Sequence, residues 1–492
     1  MRNKLILAAV ATAAALTSTY ATERDALACG GCFSPPPSPT ESPTIVTDHR
    51  MILTIAKDQS TLYDQIKYQG SPSAFAWVLP ISGTVTVGLS ADIVFRTLDG
   101  ITQTSIVAPP RNCPSPPTCN RSSFGGASSA SDSSGGYQDA GSPGVQVTKQ
   151  EVVGPYETVQ LKADNANALQ QWLATNGFNV PPDVQPVVDK YVTEKFDFLA
   201  LKLIPGKSVQ DMRPVRVTTT GASAVLPLRM VAAGTGATVG VSLWVVGEGR
   251  YEPQNFPSFL IPTSDIAWDW NANKSNYAEL RAAKTTASAG RGWETESSTI
   301  LYPQQVQSAV SQFYGGGYPY DPPDPDPDGG TDAGPPLTQE EKSAQINYDP
   351  VLDGQGNVLK TAVQVRNEDL TALFYGIPSA SARVTRMRAD LAHAALDADL
   401  VMTASKDQAV QSNVRQLTNE INQPLCPVYS QDGCSQIGTE PRDDANARAN
   451  GDAGESFSCA TGGAGGTSPL WVGAGLGYLA LAIVRARRRR QG

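Results

Sequence analysis

The residues best suited to chemistry in this 492-residue chain are seven cysteines and two histidines, and spacing limits what they can do. Cys29 and Cys32 form a C-x-x-C, Cys113 lies near Cys119, Cys426 lies near Cys434, and Cys459 is left over. In an exported chain these three short-range pairs are expected as disulfides. A C-x-x-C can instead be redox-active or half of a metal site. Redox pairs usually open a helix after a strand, whereas this one runs into Pro35-Pro36-Pro37. A Ser-His-Asp hydrolase would have to recruit His49 or His393, and no G-x-S-x-G elbow is present. His49, within Thr47-Asp48-His49-Arg50, reads as a strand entrance, and His393 lies in an alanine-rich piece. Zinc normally requires more His or Cys at close spacing.

Three further motifs look like sites and have simpler readings. Asp324, Asp326, Asp328 and Gly329 imitate the start of a calcium loop, but Pro335 stands where the bidentate Glu belongs. Gly234-Thr235-Gly236 with Gly240 looks like a dinucleotide loop, but it leads from strand to strand, while phosphate needs a helix N-terminus. It reads as a hairpin turn. In Gly290-Arg291-Gly292-Trp293, Arg291 and Trp293 can serve as ligand anchors. The favoured alternative puts Trp293 in the core and pairs Arg291 with an acid. No catalytic residue, metal ligand or cofactor is assigned.

The stretch that organises the rest is residues 61–82, which reads as a hairpin turning at Gly70-Ser71-Pro72. Its first strand places Leu62, Ile66 and Tyr68 opposite Tyr63, Gln65 and Lys67. The return strand carries Phe75, Trp77, Leu79 and Ile81 on one face and Ala74, Ala76 and Val78 on the other. A strand apolar on both faces is covered on both faces, so this one belongs inside a sheet. Further strands are expected at 51–56, 93–106, 145–161, 196–204, 215–220, 225–231 and 239–246. Helices are expected after Asp164, where Ala168, Leu169, Trp172 and Leu173 make an apolar stripe ended by Asn176-Gly177, and at 183–194 and 275–288. Residues 109–144 read as a Pro, Ser and Gly surface insert. Beyond a linker, strands are expected near 360–366 and 372–377, with a helix over 406–420.

Composition and ends indicate where the protein works. The N-terminus has a secretory pattern: Arg2 and Lys4, an apolar run from Leu5 to Leu16, and Ala26-Leu27-Ala28 as a cleavage site. Lipidation of Cys29 is the alternative, although Ala26 stands where a lipobox has Leu. At the other end Cys459 precedes an apolar segment, 469–484, and then Arg485 and Arg487 to Arg490. Sixteen residues are marginal for a permanent span, and the arginines should stay cytoplasmic. This arrangement resembles the MYXO-CTERM sorting tail. The resemblance implies a transient membrane hold processed near the cysteine by sorting or lipidation machinery. A plain single-span anchor is the alternative. The formal charge is −9; without eight basic and two acidic residues of the two ends, 38 and 47 become 30 and 45, a body near −15. Such a surface argues against nucleic acid or anionic lipid as partner.

Several stretches together resemble the domain of unknown function 2330 family of exported bacterial proteins. They are Ala28-Cys29-Gly30-Gly31, Gln65-Ile66-Lys67-Tyr68 leading into Phe75-Ala76-Trp77-Val78-Leu79-Pro80, Trp172-Leu173 with Asn176-Gly177-Phe178, Pro227-Leu228-Arg229, and Gly290-Arg291-Gly292-Trp293. These are sheet and packing residues, so the resemblance implies a fold and no reaction.

The expected architecture is α+β, mostly antiparallel sheet with a few helices, in two lobes joined by a Pro/Asp/Gly linker. The expected order is a signal at 1–28, the main domain at 29–315, the linker at 316–336 and a smaller unit at 337–435. A stalk at 436–468, the sorting segment at 469–484 and a basic end at 485–492 complete it. The expected role is that of a surface-anchored envelope protein with a structural or binding ectodomain. The alternative is an envelope hydrolase with a carboxylate site.

Overall fold

The computed structural model describes residues 31–33, 45–69, 76–116, 149–162, 167–178, 182, 184–204, 207, 211–311, 338–352, 356–430 and 435–451. They fall into two compact units, one within residues 1–111 and 121–424 and the other within 112–120 and 425–492. The signal pattern, the calcium-like motif, the Pro/Asp/Gly linker and the tail from 452 onward lie outside the described residues.

Two sheets dominate the larger unit. Their strands are β1 (Gly31–Phe33), β2 (Ile45–Ile55), β3 (Gln59–Gln69), β4 (Ala76–Ile81), β5 (Thr86–Leu89), β6 (Lys149–Val153), β7 (Tyr156–Leu161), β8 (Asp197–Leu203), β9 (Val215–Thr220), β10 (Thr235–Glu248), β11 (Ser258–Phe259), β12 (Trp293–Ile300) and β13 (Ala382–Ala392). The five-stranded sheet has the order β1-β4-β8-β7-β6, and the eight-stranded sheet β11-β12-β13-β10-β2-β3-β9-β5. Within them only β10 with β2 and β11 with β12 run parallel. The fold is α+β and mostly antiparallel.

Three cores stack these sheets between helices. The largest joins the facing sides of the two sheets, with Trp77, Leu79, Ile81 and Leu199 on one and Met51, Leu53, Leu243, Trp293 and Met387 on the other. The second fills the outer side of the large sheet. There Ile52, Tyr63, Trp244 and Val384 meet α1 (Asp92–Thr102), α6 (Pro303–Ser311), α7 (Gln339–Gln345) and α8 (Ala362–Phe374). The third packs Phe33, Ala76, Val78 and Phe198 against α2 (Asn167–Thr175), α3 (Gln185–Thr193) and α4 (Leu228–Val231). The result is four layers, helix–sheet–sheet–helix, and α5 (Tyr277–Ala287) lies apart from the three cores. β4 shows why: its alternation sends Trp77, Leu79 and Ile81 to one core and Ala76 and Val78 to another. Each large apolar side chain buried this way contributes roughly 1.5–3 kcal/mol.

Several expectations are corrected. Residues 61–82 are not a hairpin, because β3 and β4 belong to different sheets; the real hairpin is β2–β3, with Ile55 opposite Ser60. Period-two alternation specifies a strand's faces but not its neighbour. The expected second lobe at 337–435 is not separate, since β13 pairs with β10 on one side and β12 on the other. The strands expected near 360–366 and 372–377 are the single helix α8. Thr361 caps it by accepting from the Gln364 N–H while the Gln364 side chain accepts from the Thr361 N–H, a reciprocal capping box. No helix covers 406–420; that stretch forms short strands at Val414–Gln416 and Asn419–Glu420. The Gly234 segment is not a hairpin turn either, because Val225–Leu226 pairs with Leu400–Ala404 and α4 intervenes. Gly234 adopts φ +84° and lies so close to β1 that a Cβ would stand 2.4 Å from the Cys32 carbonyl oxygen. Only glycine fits there.

The smaller unit pairs Leu425–Tyr429 with Gln436–Pro441 and continues into α9 (Arg442–Ala449). Residues 436–449, expected as the start of a stalk, are therefore folded. Among the described residues no helix is long and apolar enough to cross a membrane.

Candidate functional site

The cysteines are arranged differently from their spacing. Cys113 bonds to Cys426 across 313 residues, inside the smaller unit, so the local pairs Cys113–Cys119 and Cys426–Cys434 are corrected. Proximity in sequence favours short loops only when tertiary structure does not place another thiol closer. Cys32 is a free, buried thiol. Burial and the neighbouring Asp64 charge push its pKa well up, which keeps it protonated and a poor nucleophile. Cys29, Cys119, Cys434 and Cys459 lie outside the described residues.

His49 is inside β2, not at a strand entrance, and is 1% exposed. Its Nδ1 meets both carboxylate oxygens of Asp64 on β3 at 3.1 Å, while its buried Nε2 has no hydrogen-bond partner. His393 sits in a short 3-10 turn, half-buried. Arg291 pairs with Asp397 at 2.7 Å and lies over the Phe256 ring at 4.9 Å, and Trp293 is fully buried in the intersheet core. That segment is packing.

The charged cluster that sequence reasoning missed crosses the large sheet on its helix-covered side. Gln65, Arg50, Ser242, Arg388 and Glu294 are successive partners on β3, β2, β10, β13 and β12. One step along the strands, Trp244 is opposite Arg386. The Arg50 and Arg386 guanidiniums lie 5.3 and 4.9 Å from the Trp244 ring. Both also bind Asp99 of α1. Arg386 additionally binds Glu296, the extra residue of a bulge in β12. Arg415 donates to the Glu296 carbonyl at 2.8 Å. Burial and the like charge of Arg386 lower the Arg50 pKa, and Asp99 opposes the shift.

At the end of this row the Tyr277 hydroxyl of α5 donates to Glu294 at 2.6 Å, and the second oxygen of Glu294 is buried without a hydrogen-bond partner. Burial, with the nearby Glu296 charge, pushes Glu294 up to about 7 against the Tyr277 hydrogen bond. The Tyr277 pKa rises as well, through burial and Glu294. A carboxyl that titrates near neutrality can take and release protons. The available signal was Glu294-Thr295-Glu296 directly after Trp293, two acids at strand spacing in a run that continues as Ser297-Ser298-Thr299.

Two other buried charges act as clamps. Asp369 of α8 accepts from Ser90 at 2.7 Å and from Tyr348 at 3.1 Å, faces Arg216 at 3.6 Å, and is pushed by burial up to about 6. Arg229 of α4 binds Glu194 at 2.7 Å and Asp399 at 2.5 Å over the Tyr191 ring. Burial opposes its charge, yet the two carboxylates raise its pKa. Among the described residues no group of three His, Cys, Asp or Glu side chains is placed to hold a metal ion.

The Arg229 clamp falls in one of the stretches that resemble a known family. A family model described as an uncharacterized protein conserved in bacteria (DUF2330) matches residues 25–307. The chain belongs to this family. Pro227-Leu228-Arg229 supplies its Arg clamp, and Ala76-Trp77-Val78-Leu79-Pro80 is β4, covered on both faces. The matched stretch leaves out β13, which the large sheet nonetheless holds between β10 and β12. The family description assigns no activity. No curated protein and no solved structure matches the chain.

Proposed function

We propose that this is an exported, surface-anchored protein of the cell envelope whose folded part is a structural or binding ectodomain. The observation that carries this reading is the inward placement of its acid–base groups. His49 and Asp64 close on each other inside an apolar core, and Arg386, Asp99 and Glu296 neutralise one another beneath α1. Nucleophilic catalysis needs such groups beside a substrate. The Cys113–Cys426 bond supports an oxidising compartment. Anchoring rests on the tail: Cys459 is the processing or lipidation point, and the arginines from Arg485 to Arg490 are absent from the mature form. Fractionation with mass spectrometry of the mature C-terminus tests this. Surface protein retaining Arg487 to Arg490, or a Cys459→Ala variant processed identically, leaves a plain membrane span in its place.

The second reading, an envelope hydrolase using carboxylates, is favoured by Glu294 alone, whose proton is labile near neutral pH. A Glu294→Gln variant separates the two. The ectodomain reading expects its phenotype to follow its folded fraction, whereas loss of function at unchanged thermal unfolding supports the enzyme.

A further inference from the structure

Between α1 and α6 runs a half-open groove of about 640 Å³, within the size range of small-molecule sites. Ile93 and Ile101 of α1 and Ala309 of α6 give it a mainly apolar lining. Two features distinguish it from an ordinary seam between helices. Gly100 stands exposed in the last turn of α1, where glycine is at most about 1 kcal/mol worse than alanine. Its φ is not left-handed, and an added Cβ would meet nothing within 4 Å. Neither backbone nor neighbours require glycine there; its effect is to keep the groove open. Arg96 lies on the same wall, and its one hydrogen bond among the described residues is a long one, 3.5 Å, to the Asn347 side-chain oxygen. Among the described residues it is a cation without a carboxylate, in a chain of net charge −9.

We propose that this groove binds an amphipathic monoanion, an apolar chain ending in a carboxylate. The chain lies over Gly100 between Ile93 and Ile101, and the anionic end meets Arg96. None of these residues belongs to the charged row described above, and occupancy is independent of how the protein is anchored.

Decanoate, with decanol as its uncharged counterpart, provides the probe, titrated by calorimetry into purified full-length protein. Saturable binding of decanoate is expected. Arg96→Gln should weaken decanoate about tenfold or more and leave decanol unchanged. Gly100→Leu should abolish binding of both, while Gly100→Ala, which removes only the helix penalty, should unfold at a higher temperature and still bind. No saturable binding by wild type, equal binding by Gly100→Leu, or an Arg96→Gln effect identical for acid and alcohol overturns the proposal. Binding that appears only after deletion of 316–336 assigns the groove to the chain's own acidic segment and overturns it as well.

Discussion

His49 on β2 and Asp64 on β3 are 15 residues apart in sequence and hydrogen-bonded in the intersheet core, the imidazole Nδ1 at 3.1 Å from each carboxylate oxygen. Neither has solvent to fall back on. Removing one partner leaves the other's polar atoms buried and unpaired, which typically costs about 1–3 kcal/mol. Asp64→Ala and His49→Ala should each lower the denaturation midpoint strongly. The double variant should cost less than the sum of the two. Additive losses in a double-mutant cycle would show that the pair does not act as a unit.

Glu294 gives stability a pH dependence of known sign. Its folded pKa, about 7, exceeds the ordinary carboxylate value, so the folded state holds the proton more tightly than the unfolded chain. The contribution is fully present below about 4.5 and is lost as pH rises through about 7, on the order of 2–3 kcal/mol. Asp369, pushed up to about 6, acts in the same direction over a lower window. Chemical denaturation of wild type and Glu294→Gln at pH 5 and pH 8 checks this. The variant should gain relative to wild type at pH 8, and a difference that is flat across the range contradicts the assignment.

The disulfide prediction is local. Non-reducing peptide maps should join the Cys113 peptide to the Cys426 peptide. A closed loop this long is worth about 6 kcal/mol in the chain-entropy account. Reduction should therefore speed hydrogen exchange through 425–449. Free thiols at both positions in protein purified without reductant would contradict the pairing.

Trp293 and Arg291 should separate cleanly. Trp293→Ala empties a fully buried site and should cost about 3–5 kcal/mol. The Arg291–Asp397 pair is partly exposed, so Arg291→Ala should cost no more than about 1 kcal/mol. Calorimetric unfolding of both variants makes the comparison. Equal losses would mean that Arg291 carries packing that its ion pair does not reveal.

What the sequence by itself determined is local. The two-faced alternation of Ala76 to Ile81, the stripe of Leu169, Trp172 and Leu173 before Gly177, and the strand at 215–220 all appear where their patterns place them, because periodicity and capping act within a few residues. The Thr361–Gln364 capping box was legible too, although the β-branched residues around it masked α8. The tertiary structure decided which elements meet. It separated β3 from β4, drew β13 in from beyond the linker, and joined Cys113 to Cys426. It also set Arg386 and Arg50 on Trp244, and desolvated Glu294 until its proton stayed near neutrality. Strand pairing, thiol proximity and desolvation depend on distances through space between residues tens to hundreds of positions apart. Local residue spacing contains no record of those distances.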